Sequence, residues 1–463
     1  MIKINKSLLA MAVSSILASP VINATNGYFA HGYSTKEKGL AGAGTAYSQD
    51  AMAAANNPAG MAFVGSRMDI GAALFSPSPR SYKVTGNPVA PGGDPNAGGD
   101  PNAPFGSFLN AAPGEAVESD SDFFLIPHFA YNHQLANDST VGLSVYGNGG
   151  MNTNYQASDT PGGAGLFGDG DVGVNLMQLF FNISYSKKLN DKHAVGASLV
   201  LAGQRFAAKG IGSFAPISSG PENLAGNRNS YSYGAGVKLG YQGEVAKGIR
   251  VGVAYQSKIS MSEFDEYKGL FAEGGDFDIP ETYNIGVSFD VGSSGVIVAD
   301  VQRINYSGIA AIANPVSNAI GPAASCVPAG FGPDPGAVGA GCLGGSNGAG
   351  FGWEDMTIYK LGYQHDINDK HTVRFGYSFT DQPIPESETM FNILAPAVIE
   401  QHFTAGWTMK IGTDQELNIA GMYAPSNSVK GQNPADAGAA NGGTRIEIEM
   451  AQWEVQAGWA WKY

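Results

Sequence analysis

Tyr231-Ser232-Tyr233-Gly234-Ala235-Gly236-Val237-Lys238-Leu239-Gly240-Tyr241 alternates without a slip. Tyr231, Tyr233, Ala235, Val237, Leu239 and Tyr241 fall on one face; Ser232, Gly234, Gly236, Lys238 and Gly240 fall on the other. A period of two belongs to an extended strand, whose successive side chains point to opposite faces. Aromatics bracket the apolar row and a lysine lies opposite it, the pattern of a wall with lipid on one side and a wet or packed interior on the other.

The same alternation recurs to the end of the chain. Leu179, Phe181, Ile183 and Tyr185 alternate with Asn182, Ser184 and Ser186, and Val373, Phe375, Tyr377 and Phe379 with Arg374, Gly376 and Ser378. Trp453, Val455, Ala457, Trp459, Trp461 and Tyr463 alternate with Glu454, Gln456, Gly458 and Lys462. A terminal aromatic on such a strand resembles the signal that outer-membrane proteins present to the barrel-assembly machinery. Strands are expected near 66–75, 121–135, 139–150, 172–189, 192–206, 229–244, 248–262, 278–291, 294–306, 353–366, 370–381, 396–411, 414–425 and 446–463.

The connections sort by length. Six are short, around Asn137-Asp138, Asn190-Asp191, Ala246-Lys247, Gly292-Ser293, Asn368-Asp369 and Thr413-Asp414; seven are long, at 76–120, 151–171, 207–228, 263–277, 307–352, 382–395 and 426–445. Short and long alternate strictly, as they do where periplasmic turns are short and outer loops long. The expected fold is therefore all-β: a 14-stranded antiparallel transmembrane β-barrel over residues 66–463, both termini periplasmic, in the outer membrane of a Gram-negative bacterium. A soluble sandwich or propeller has no reason to sort its connections in this way.

Composition agrees. The chain of 463 residues holds 65 Gly, 23 Phe and 20 Tyr with only 14% charged residues, less charge than a soluble chain usually carries. Lys3 and Lys6 precede an apolar run, Leu8 to Ala18, and Val21-Ile22-Asn23-Ala24 offers a small residue for cleavage, so residues 1–24 read as a signal peptide. No later segment is apolar for long enough to cross a bilayer as a helix. The net charge of −14 leaves no basic footprint for nucleic acid. Cys326 and Cys342 share one Gly/Pro-rich stretch and lack His neighbours, which suits a disulfide across a loop better than zinc. Gly92 to Ala103 repeats Gly-Gly-Asp-Pro-Asn-Ala twice; with only Asp94 and Asp100 charged, it reads as a solvent loop in preference to a calcium site. No cofactor or metal is expected.

Residues 25–65 break the pattern. Gly39-Leu40-Ala41-Gly42-Ala43-Gly44 is followed by an Ala-rich stretch, Ala46 to Ala55, with helical spacing, then by Asn56-Asn57-Pro58-Ala59-Gly60. A helical turn or two is expected here, stopped before Pro58 by the restriction that proline places on Asn57. A barrel of about fourteen strands encloses more space than wall side chains readily fill, so this segment is expected to plug the lumen as a hatch. The glycine run lacks the preceding strand and Lys-Ser/Thr ending of a phosphate loop.

Gly39 to Gly44, with Tyr47, Asp50 and Asn57-Pro58-Ala59 after it, resembles the N-terminal hatch of the FadL family, outer-membrane channels for long-chain fatty acids with relatives that admit aromatic hydrocarbons. The resemblance continues at Ile279-Pro280-Glu281 and over Phe351 to Tyr423, with Trp353-Glu354-Asp355 and Asp381-Gln382-Pro383-Ile384-Pro385. It implies passive uptake of a hydrophobic compound: capture at outer loops, rearrangement of the hatch or N-terminus, and lateral release through a kinked third strand into the surrounding lipid and lipopolysaccharide leaflet. Long-chain fatty acids are the first expectation; neutral alkanes or aromatic hydrocarbons are the alternative. Apolar contact worth roughly 25 cal/mol per Å² lets loop grooves concentrate such a ligand without an energy source.

On the same resemblance, Tyr28 and Phe29 occupy the place of an N-terminal apolar side chain in the ligand pocket, and Asp381 matches an acidic position near it. Arg205 is the nearest candidate for a lumen-facing cation that would hold a carboxylate. Gly348-Ala349-Gly350-Phe351 stands where the fatty-acid channel has lysine, which keeps neutral hydrocarbons open. In Gly147-Asn148-Gly149-Gly150 the glycines weaken a strand ladder; they either kink the third strand or simply begin the next loop. A general diffusion porin would need an open charged lumen, and a barrel lipase a paired Ser and His on the outer wall; His128, His133, His193, His365, His371 and His402 lack an obvious Ser partner.

Overall fold

The computed structural model describes residues 26–87, 109, 114–160, 163–226, 228–321, 324–326, 339–436 and 442–463. The expected signal peptide and the Gly92–Ala103 repeat lie outside the described residues. Among those residues no helix is long and apolar enough to cross a membrane.

The wall is built from β1 (Arg67–Ser76), β2 (Arg80–Gly86), β3 (Val117–Glu118), β4 (Phe124–Gln134), β5 (Ser139–Asn152), β6 (Gly173–Asn190), β7 (His193–Lys209), β8 (Ser230–Ala246), β9 (Ile249–Gln256), β10 (Ser260–Met261), β11 (Thr282–Val291), β12 (Gly295–Ile304), β13 (Met356–Asp366), β14 (His371–Phe379), β15 (Gln401–Ile411), β16 (Gln415–Gln432) and β17 (Thr444–Lys462). β1 with β2, β3 with β4, and β9 with β10 are the two parts of wall strands one, two and seven, giving fourteen strands in all. Neighbours pair antiparallel, and β1 closes on β17 from Arg67↔Lys462 to Ser76↔Trp453. Closure gives every wall strand a neighbour on both sides over at least part of its length, as a strand-built membrane protein requires.

Side-chain parity follows the sequence. On β8, Tyr233 is 67% and Leu239 51% exposed, whereas Ser232 and Lys238 are buried. The exposed row belongs to the lipid face and the buried row to the lumen.

Two of the expected long loops contain strand. β2 and β3 lie within 76–120, and β16 and β17 run on together into the two ends of 426–445, from Asn427↔Met450 to Gln432↔Arg445. Alternation misses these extensions because they face outward with polar residues, Ser426, Ser428, Lys430, Arg445, Glu447 and Glu449 in place of an apolar row. Lys430 and Glu447 pair across the ladder at 3.3 Å. β11 starts later than expected, after Pro280, which has no N–H to give the ladder.

Residues 26–66 precede the first strand and reach inward-facing groups all around the closed sheet. Lys36 pairs with Glu416 on β16 at 2.6 Å and Lys38 with Glu454 on β17 at 2.5 Å. Asp300 on β12 accepts the N–H groups of Gly44 and Thr45, each at 2.9 Å, and Arg374 on β14 donates to Gln49 at 2.9 Å. A segment that touches so many strands of a closed sheet occupies its interior. Only Ala53–Asn56 of the Ala-rich stretch is α-helical. A turn not expected, Thr35–Lys38, is capped by Ser34 Oγ accepting from Glu37 N at 3.1 Å. Asn57 is extended, and Pro58 begins a 3₁₀ turn, Pro58–Phe63.

Candidate functional site

Packed loops at the long-connection end of the barrel line a partly open apolar cavity. It is lined by Val174, Phe206, Ile211, Phe214, Leu270, Phe271, Ala311, Leu343, Ala349, Gly350, Phe351, Phe391 and Leu394, with no charged side chain. β6 and β7 supply Val174 and Phe206, which point inward by parity; the rest come from the loops. The Cys326–Cys342 disulfide ties one of these loops, directly beside lining residue Leu343. Leu343 is strapped to a second loop by Leu343 N→Ile217 O at 2.9 Å and Ser219 N→Leu343 O at 2.8 Å.

An aromatic chain runs from this cavity toward the N-terminal segment. Phe206 lies 4.7 Å from Phe271, Phe271 lies 4.8 Å from Phe277, and Phe277 lies 6.2 Å from Tyr28. Trp353 and Tyr306 flank Tyr28 at 6.0 and 5.4 Å, and Phe29 follows at 5.2 Å. Tyr28 and Phe29 are both buried.

Beyond Phe29 the chain meets the glycines of β5. Phe29 bridges to Gly149, Ala30 N donates to Asn148 O at 2.8 Å, and Gly150 N donates to Tyr28 O at 3.1 Å. The β5–β6 register slips between Gly147 and Gly149, leaving Asn148 as a bulge. The Asn148 side chain fixes that bulge: Oδ1 accepts from Tyr33 Oη at 3.0 Å, and Nδ2 donates to Gln178 at 3.0 Å. β4 pairs with β5 only as far as His128↔Tyr146. From Gly147 onward β5 leaves β4 and pairs inward with Tyr28–Ala30, so these glycines are strand, not the start of a loop.

Below Tyr28 the lumen is polar. Glu416 gathers Lys36, Arg67 at 3.1 Å and Lys462. Lys360 donates to the carbonyls of His31 and Gly42 at 3.3 and 3.4 Å, and Lys238 to that of Ala55. Asn57 ties the segment to the wall, donating to Thr45 O at 2.7 Å and Tyr241 O at 2.9 Å and accepting from Ala59 N at 3.1 Å. Asn57-Pro58-Ala59 lies against Gly196 and Gly240, where a β-carbon would collide with Pro58 and Asn57.

Three expectations need correction. Arg205 does not face the lumen: Gln204 and Phe206 are the inward residues of β7, so Arg205 turns outward, donating to Asn175 at 3.3 Å. Asp381 is exposed beyond the end of β14 and does not border the cavity; the motif it opens folds back through Glu354 N→Pro383 O at 2.8 Å and buries Ile384 instead. A His does have a Ser partner: Ser378 Oγ lies 3.1 Å from His402 Nδ1. This pair is buried inside the lumen, stacked on His31, and His402 Nε2 has no partner among the described residues, so no acid completes a triad.

Sequence reading did not single out Phe206, Phe271, Phe277, Tyr306 and Trp353, which line the cavity or form the aromatic chain to Tyr28. Only Phe206 carried a usable signal, an aromatic on the inward parity of a strand. The others sit in connections or at strand entries, where no periodicity assigns a direction.

A profile of the family described as "Outer membrane protein transport protein (OMPP1/FadL/TodX)" matches residues 16–457. The chain belongs to this family. Its members are outer-membrane channels for hydrophobic compounds. Among solved structures, the Pseudomonas putida toluene transporter TodX superposes with a TM-score of 0.64 at 14% identity, covering 94% of this chain and 99% of that one. The Ralstonia pickettii toluene transporter TbuX gives 0.58 at 16% identity, covering 94% and 99%. A Pseudomonas aeruginosa FadL homologue gives 0.60 at 15% identity, covering 96% and 99%. These likenesses are of fold. No curated protein matches the chain in sequence.

Proposed function

We propose that this chain is a passive channel for neutral hydrophobic compounds of the monoaromatic or alkane class. Ligand enters the loop-side cavity, passes Phe277 and the Tyr28–Phe29 pair, and leaves sideways where β5 departs from β4. The observation that carries this reading is the cavity lining: thirteen residues, none of them charged. A carboxylate moved there from water would lose its hydration without gaining a partner, while a neutral hydrocarbon gains from every apolar surface it covers. Long-chain fatty acids fit the apolar path as far as their tails are concerned, but Arg205 faces away and no lining cation takes the headgroup. Two of the solved structures of like fold are described as toluene transporters, which supports the same substrate class.

Tyr28 and Phe29 act as the gate in this reading, and residues 25–65 as the hatch that closes the axial route. The N- and C-termini lie on the periplasmic side, with lipopolysaccharide around the loops and Tyr463 presented to the assembly machinery. The test is uptake into proteoliposomes of toluene, an alkane and a fatty acid side by side. Toluene or the alkane is expected to exceed the fatty acid. Gly149→Val with Gly150→Val is expected to cut hydrocarbon uptake by about tenfold or more while the barrel still folds, because branched side chains there fill the space where the strand bends. Undiminished uptake in that folded variant would remove the lateral exit, and faster fatty-acid than toluene uptake would reverse the substrate class.

A further inference from the structure

Wall strands one and two both break on the loop side of the bend in β5. β1 stops at Ser76 and β2 resumes at Arg80; β3 stops at Glu118 and β4 resumes at Phe124. Between His128↔Tyr146 and this break, β4 and β5 do not pair with each other. Beyond it, the chain leaving β5 returns to strand two through Asp120 N→Asn154 O at 2.9 Å. Ser119 Oγ lies at this rejoining point and accepts from three donors: Asn154 N at 3.0 Å, Arg80 Nη2 at 3.1 Å and Ser121 N at 3.3 Å. Arg80 Nη2 also donates to Ser121 O at 2.8 Å, whereas its Nε has no partner among the described residues. Both side chains are buried, Arg80 at 5% and Ser119 at 4% exposure.

One hydroxyl thus ties strand one, strand two and the end of strand three at a single point. We propose that Arg80 and Ser119 form a clamp that fixes the loop-side end of the gap between β4 and β5 and so sets the largest ligand that can leave through it. A charged donor shielded from water holds its acceptors more firmly than a neutral one. Both residues are positioning residues: they set the distance between the two edges and do not touch the ligand. The inference rests on the lateral exit described above.

The experiment compares uptake of toluene with uptake of hexamethylbenzene in proteoliposomes. In Ser119→Ala and Arg80→Met the hexamethylbenzene-to-toluene ratio is expected to rise about threefold or more, the scale on which small steric differences discriminate substrates, with the toluene rate within about twofold of the parent. Arg80→Lys, which keeps the charge but loses the planar fork, is expected to fall between parent and Arg80→Met. A cysteine pair, Asp120→Cys with Asn154→Cys, closes the same point covalently; in the Ser119→Ala background it is expected to restore the parental ratio when oxidised, which a general loss of stability would not allow. Folding is read by heat-shifted mobility on gels. A parental ratio in the folded variants, or two rates that fall together, overturns the clamp. Gly149→Val with Gly150→Val separates the two claims: if it abolishes uptake while clamp variants keep the parental ratio, the clamp alone fails; if it leaves uptake intact, the lateral exit fails with it.

Discussion

The two halves of the lumen share one wall yet differ in chemistry. On β17 the inward row reads Ile446, Ile448 and Met450 toward the loops, then Gln452, Glu454 and Gln456 toward the short turns; on β6 it reads Val174 and Leu176, then Gln178, Phe180, Asn182, Ser184 and Ser186, with Phe180 the one apolar side chain among the polar ones. The loop half holds a partly open apolar cavity, and the short-turn half is filled by residues 26–66 held through buried ion pairs. A hydrophobic solute gains free energy in the first half and meets buried charges and a packed segment in the second. A polar solute faces the reverse. In the route proposed above, the bend at Gly147–Gly150 lies at this boundary, so an apolar ligand leaving there does not cross the polar half.

That comparison breaks first if the halves are not independent. Glu416→Leu leaves Lys36, Arg67 and Lys462 without their shared carboxylate. Stranding buried charge costs about 3–5 kcal/mol, so the N-terminal segment is expected to loosen. Trypsin cutting at Lys36 and Lys38, and ion conductance in planar bilayers, should both rise, while toluene binding in the loop-side cavity stays within about twofold because no residue of the segment lines it. Lost binding would mean that the two halves act as one unit.

A charge placed in the apolar half sharpens the contrast from the other side. Phe206→Asp puts an unpartnered carboxyl among the lining residues and is expected to weaken hydrocarbon binding about a hundredfold, the low end of the cost of an unpaired polar group in an apolar site. Fatty-acid binding should not improve, since the change adds an acid. Calorimetry on detergent-solubilised protein reads both.

A smaller effect is expected at the roof. Cys326→Ser with Cys342→Ser frees the loop that carries Leu343; a closed loop of about 15 residues is worth roughly 3 kcal/mol to the folded state of that loop in the chain-entropy account. The barrel melting transition should not move, while hydrocarbon dissociation should quicken about fivefold. An unchanged off-rate would show that the hydrogen bonds from Leu343 to Ile217 and Ser219 hold the roof unaided.

The smallest effect concerns pH. Burial, and then the neighbouring Asp278, push the carboxyl of Asp276 in the loop before β11 up to about 6. An unfolded Asp titrates near 4, so between these values the folded loop holds the extra proton. Its contribution is complete below pH about 4 and is lost as pH rises through about 6. Asp276 precedes Phe277, so hydrocarbon off-rates should rise about twofold from pH 4 to 7, and Asp276→Asn should flatten that profile. A profile that survives in the variant assigns the pH response elsewhere.

Much of the wall was legible because period-two alternation reports which way each side chain points. Tyr231 to Tyr241 and Trp453 to Tyr463 show it without interruption. The same signal fell silent on Asn427–Gln432 and Arg80–Gly86, where the outward face is polar and the inward apolar row, Tyr82 and Val84 or Val429 alone, is too short to stand out, and these strand extensions were read as loop. Arg205 shows the other limit: as a lone cation near a strand end it suggested a headgroup partner, but one step of parity turned it outward and put Phe206 in the lumen.

By itself the sequence determined the strand count, the alternation of short and long connections and the foreign character of residues 25–65, since each follows from spacing along one chain. Only the tertiary structure decided that Phe277, Tyr306 and Trp353 meet Tyr28, that Ser378 meets His402, and that Ser119 collects donors from Arg80 and Asn154. Those contacts join residues tens to hundreds of positions apart, and closure of the sheet brings them together with no local pattern to announce it.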